Sequence, residues 1–92
     1  MIPSVVNVKD VTSTGPDHVY IGRGSKWGNP FVIGIDGDRD AVIEAYRSHL
    51  VESGLIDDID ELEGKVLVCY CKPLRCHGDV LVETFIERAL HK

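Results

Sequence analysis

The chain has 92 residues, 43% of them hydrophobic, and a formal net charge of −5. That size suits a single domain, residues 1–92, with one modest core. The acid excess argues against a general nucleic-acid backbone binder, no stretch nears the roughly 18–20 apolar residues of a membrane span, and Met1-Ile2-Pro3-Ser4 lacks a signal-peptide pattern.

In chain order, Val5-Val6-Asn7-Val8 reads as a short strand and Thr12 to Asp17 as a turn. His18-Val19-Tyr20-Ile21 is a second strand, followed by the loop Gly22-Arg23-Gly24-Ser25-Lys26 and the irregular Trp27-Gly28-Asn29-Pro30. Phe31-Val32-Ile33 predicts a third short strand before Gly34 to Gly37 turns the chain. Asp38 caps a helix expected to reach Ser53, with Ala41, Val42, Ala45, Tyr46 and Leu50 at helical spacing and Gly54 as its stop. Asp57 to Glu63 suits a short solvated helical turn whose charges form a wet face. Lys65 to Tyr70 is continuously apolar in its middle, as a central strand covered on both faces should be. A last helix from Gly78 to His91 would bury Leu81, Val82, Phe85, Ile86 and Ala89. The order predicts a small Rossmann-like layered α/β domain, with short N-terminal strands and then helix, strand, helix.

Two segments carry the chemistry. The first is Cys69-Tyr70-Cys71-Lys72-Pro73-Leu74-Arg75-Cys76-His77-Gly78-Asp79, which holds all three cysteines on a strand-to-helix turn. Cysteines gathered at one place do not form a disulfide framework, so a reducing cytoplasm is the expected compartment. Zinc is one reading, with Cys69, Cys71, Cys76 and His77 as ligands. It is not the favoured one, because alternate residues on a strand lie roughly 6.5–7 Å apart while sulfurs on one zinc approach within about 4.6 Å. Cys76 at a helix start beside Arg75 and Lys72 is a second reading, a stabilised thiolate, with His77 and Asp79 as further catalytic candidates. The third is anion binding by the helix start with Arg75, Lys72 and Gly78, where Asp79 contacts a ribose hydroxyl or simply caps the helix.

The second segment is Tyr20 to Phe31. Gly22 and Gly24 permit close backbone approach, Arg23 and Lys26 offer anion contacts, Asn29 an amide, and Trp27 a stacking face or a core plug. Neither Tyr20–Ile35 nor Lys65–Gly78 contains an acid, so two locally basic loops on an acidic chain suggest a focused anion pocket.

Together these segments resemble the family of domain of unknown function 4326, small proteins of bacteria and their phages. The likeness runs from Val5-Val6-Asn7-Val8 through Tyr20-Ile21-Gly22-Arg23 and Trp27-Gly28-Asn29-Pro30-Phe31 to the Cys69–Asp79 turn. It implies no activity. A shorter likeness, from Val66 to about Leu81, to domain of unknown function 488 implies only a strand-turn-helix unit.

The leading expectation is a protein binding a nucleotide or nucleoside-type anion, with cleavage or transfer at a glycosidic or phosphate bond if Cys76 and His77 are catalytic. Two alternatives stand beside it: a non-catalytic protein that sequesters its ligand, as phage counter-defence would use, and a zinc-stabilised structural or interaction module. A homodimer would enlarge the pocket of so small a chain, and no membrane association is expected.

Overall fold

In the computed structural model, the described residues are 1–10, 15–70 and 74–91. Three strands, β1 (Ser4–Asn7), β2 (His18–Tyr20) and β3 (Val66–Cys69), form one parallel sheet in the order β1-β3-β2. Val5 and Val19 flank Leu67, and Val6 and Tyr20 flank Val68. The alternation sends Val5, Val19, Leu67 and Cys69 toward the helices and Val6, Tyr20 and Val68 to the other face. Leu67, Val68 and Cys69 are all buried, so the central strand is covered on both faces as its unbroken apolar run predicts.

Helix α1 (Arg39–Glu52) starts where Asp38 accepts a hydrogen bond from the Ala41 N–H at 2.8 Å, and the chain leaves it through Gly54 at φ +82°. Helix α2 (His77–Leu90) starts at Cys76, whose N–H is accepted by the Asp79 carboxylate at 3.1 Å. Between α1 and β3 lies a 3-10 helix, Leu55–Leu62, that buries Ile59 and Leu62. These segments cover one face of the sheet around Ile21, Trp27, Tyr46, Leu50, Leu67 and Leu81. The result is a small Rossmann-like layered α/β domain. Among the described residues no helix is long and apolar enough to cross a membrane.

Three local expectations change. Phe31-Val32-Ile33 is a loop, because side chains capture its backbone: Asn29 Oδ1 accepts from Phe31 N–H at 2.9 Å and Asp36 Oδ2 from Val32 N–H at 2.8 Å. Ala41 and Ala89 are exposed, while Ile43, Val80 and Thr84 are buried instead. The acidic segment is more than a wet face, since Asp58 and Glu61 hold Lys26 at 3.1 and 2.9 Å.

Candidate functional site

Because the strands are parallel, Asn7, Tyr20 and Cys69 end at one edge of the sheet, the edge where open α/β sheets take their ligands. A cleft of about 350 Å³ opens there. That volume lies within the roughly 300–1,000 Å³ of small-molecule sites. Cys69, Cys76 and His77 line it from the strand-to-helix turn. Gly22, Arg23, Asn29 and Phe31 line it from the glycine loop, and Arg39, Val42 and Ile43 from α1. Tyr70 and Arg75 complete it. The two motifs singled out in the sequence therefore meet, with the start of α1 as a third wall.

The glycine loop is divided between two environments. Toward the cleft, the Arg23 guanidinium reaches the Phe31 carbonyl at 3.5 Å, and Asn29 donates to the Val42 carbonyl at 3.2 Å. On the other side, the Lys26 ammonium pairs with Asp58 and Glu61 and stands 5.3 Å from the Trp27 ring centre. Those carboxylates raise the Lys26 pKa. Trp27 is 2% exposed and its Nε1–H is donated to Glu61 at 3.2 Å. Lys26 and Trp27 do not line the cleft, so the expected stacking face is a core plug. Gly24 turns the exposed loop tip at φ +90°. Gly28 is needed because a Cβ there would stand 2.6 Å from the Gly22 carbonyl oxygen.

At the turn, Cys76 and Cys69 are each 1% exposed and their sulfurs lie 3.6 Å apart. Burial, then the neighbouring Cys69, pushes the Cys76 thiol up from 9.0 to about 12. Desolvation outweighs the hydrogen bond from the Gly78 backbone, so the thiolate expected at the helix start is not stabilised. His77 is also buried, with Nε2 2.7 Å from the Ile21 carbonyl oxygen. A carbonyl only accepts, so Nε2 carries the hydrogen. Burial lowers the His77 pKa, against the opposing pull of backbone hydrogen bonds to Ile21 and Trp27. The imidazole packs edge-on against Tyr46 at 4.9 Å, and the Tyr46 hydroxyl donates to the Trp27 carbonyl at 2.7 Å. His77 and Tyr46 thus pin the glycine loop to both helices. Asp79 caps α2, and Gly78 lets α2 lie on the sheet, since a Cβ there would be 2.8 Å from Ile21 Cδ1.

Arg75 lines the cleft but its guanidinium is taken by Asp40 at 3.2 Å and Glu44 at 2.9 Å. Arg39, which the sequence reading passed over, donates to the Arg75 carbonyl at 3.1 Å. Among the described residues, neither Arg39 nor Arg23 has a carboxylate within ion-pair distance. Nothing local in the sequence marks Arg39, because it is the return of the chain through α1 that brings it to the turn. Tyr70, 64% exposed, also lines the cleft and is braced edge-on by Tyr20 at 6.0 Å.

Cys71 and Lys72 lie outside the described residues. Among the described residues no group of three or more histidine, cysteine, aspartate or glutamate side chains is placed to hold a metal. The Cys69–Cys76 pair has the convergence a metal would use, but His77 Nε2 is turned to Ile21.

The fold and cleft define a small Rossmann-like α/β domain with a cleft lined by Arg23, Arg39 and Arg75 at the carboxyl edge of its sheet. The chain belongs to the DUF4326 family, a domain of unknown function, whose model matches residues 6–87. It is 38% identical over 85 residues to uncharacterized protein R718 of Acanthamoeba polyphaga mimivirus, covering 73% of this chain and 65% of that one. It is 41% identical over 69 residues to an uncharacterized 12.4 kDa protein from the nrdA-td intergenic region of Enterobacteria phage T4, covering 68% and 62%. The chain thus spans a little under two thirds of the length of these relatives. No solved structure matches it significantly.

Proposed function

We propose that this protein binds a small nucleotide- or nucleoside-type anion in the cleft and holds it without covalent chemistry. One observation carries the reading. Arg23 and Arg39 line the cleft without a carboxylate partner among the described residues, in a chain of net charge −5 where Lys26, Arg47 and Arg75 are all paired. A cation left unpaired among excess acids on the wall of a cleft favours an anionic ligand. The aromatic walls, Phe31 and Tyr70, suit the planar part of such a ligand.

Sequestration fits the groups present better than cleavage or transfer. A reacting centre would need a thiolate or a free base, and Cys76 is held protonated while His77 is committed to Ile21. Two free thiols suit a reducing compartment such as the cytoplasm.

Calorimetry with nucleoside mono- and diphosphates and with inorganic phosphate tests the reading. Arg39→Gln should weaken binding about 10- to 100-fold, the range for losing a charge-assisted hydrogen bond, with at most a small loss of Tm from the Arg75 carbonyl contact. Ligand recovered after denaturation should be chemically unchanged. Absence of binding by every anion tried, or equal affinity in Arg23→Gln and Arg39→Gln, overturns it; turnover of the ligand would replace sequestration by catalysis.

A further inference from the structure

The cleft floor contains a feature that anion binding does not use: two buried thiols in contact. Cys69 is the last residue of β3 and Cys76 the residue that opens α2. Their separation of seven positions gives no sequence signature of a redox pair, yet the fold sets their sulfurs 3.6 Å apart. Both residues line the cleft, although each is only 1% exposed.

We propose that Cys69 and Cys76 are a reversible thiol–disulfide couple, closed by a small peroxide and reopened by a dithiol reductant. The sulfurs need to approach by about 1.5 Å to reach the S–S distance of about 2.05 Å. One sulfur, as thiolate, attacks a peroxide oxygen; the O–O bond breaks and the departing hydroxide takes up the released proton as water. The resulting sulfenic acid is then attacked by the second sulfur, and its S–O bond breaks to release a second water. Two thiols and one hydrogen peroxide therefore give one disulfide and two waters, with the two electrons passing to the peroxide. Reduction by a dithiol returns both thiols and leaves the reductant as its own disulfide.

The position of the couple gives it a consequence. The carbonyl of Arg75, adjacent to Cys76, anchors Arg39 at 3.1 Å, and the ring of the other neighbour, His77, reaches the Ile21 carbonyl at 2.7 Å. Drawing Cys76 toward Cys69 moves both anchors, and with them the guanidinium on the cleft wall. This effect on the ligand rests on the anion-binding reading; the couple itself does not. Burial raises the Cys76 thiol pKa, so closure through its thiolate is faster in alkali than at neutral pH.

The test uses the full chain carrying Cys71→Ser, so that only the facing pair can join. Native protein is treated with hydrogen peroxide, and intact mass and non-reducing peptide mapping are read. The expected product has lost two hydrogens, contains a Cys69–Cys76 cross-linked peptide, and regains both thiols with dithiothreitol. The wild-type chain should give the same cross-link, which covers the case where Cys71→Ser does not fold. Absence of a cross-link, oxidation that stops at separate sulfinic acids, or a cross-link formed only in urea each overturns the proposal. Ligand affinity is measured afterwards on the oxidised protein, so that a disulfide without any anion binding separates this inference from the proposed function.

Discussion

The two flanks of the glycine loop use the same residue types for opposite ends. Arg23 and Lys26 are three positions apart, both basic and both exposed. Lys26 meets Asp58 and Glu61 on the acidic 3-10 helix and lies beside the buried Trp27 ring. Arg23 lines the cleft, and its guanidinium reaches the Phe31 carbonyl. On one flank charge closes a core; on the other it has no carboxylate partner among the described residues, which is what the proposed anion would use. Partnership, not residue type, separates scaffold from site.

The largest effect expected of this contrast is on the scaffold flank. Trp27→Ala should cost about 3–5 kcal/mol, the range for deleting a buried aromatic ring, measured by urea unfolding at neutral pH. A loss below about 1 kcal/mol would mean that the ring is not the plug described and would return it to the candidate ligand contacts. Tyr46→Phe comes next. It leaves the ring edge-on to His77 but removes the hydroxyl from the Trp27 carbonyl, at a cost of about 1–3 kcal/mol for an unsatisfied buried acceptor. The phenol pKa is raised by burial, so the hydroxyl donates throughout the working range.

Acidity probes the junction between the flanks. The His77 pKa is lowered in the folded chain, so below the ordinary value near 6.5 the unfolded chain binds more protons. Stability is therefore full above about 6.5 and declines as the pH falls toward the lowered folded value. Cys76 acts at the other end: its contribution is present in full below 9.0 and falls away as the pH rises toward about 12. Thermal unfolding scanned from pH 5 to pH 10 should show both shoulders. Cys76→Ala should remove the alkaline one, and a curve flat down to pH 5 would contradict a buried neutral His77.

Much of the scaffold was legible because its signals are local. The unbroken Val66-Leu67-Val68 run marks a central strand, and Asp38 with Gly54 brackets α1 almost to the residue. Phe31-Val32-Ile33 misled because Asn29 and Asp36, side chains outside the apolar run, compete for its backbone. The site was half legible. The sequence pointed to both motifs, and the sheet edge brings them together. It could not show Arg39 arriving from α1, Asp40 and Glu44 taking up Arg75, or Trp27 turning inward. Each depends on contacts between residues more than thirty positions apart, for which the local pattern holds no signal.

The smallest effect is the sharpest test of the contrast. Lys26→Met removes an ion pair whose partners are roughly half exposed, a setting in which such pairs contribute little. The expected outcome is a Tm loss of a few degrees at most, shrinking further in high salt as screening weakens the pair in the wild type. Affinity for the cleft ligand should be unchanged. Arg23→Gln should do the reverse, leaving Tm unchanged, because Arg23 has no ion pair among the described residues to lose, while weakening binding of the proposed ligand. If Lys26→Met lowered affinity as much as Arg23→Gln, the two cations would be acting through a common field over the loop. The division would then lie in distance from the ligand rather than in whether a carboxylate has already claimed the charge.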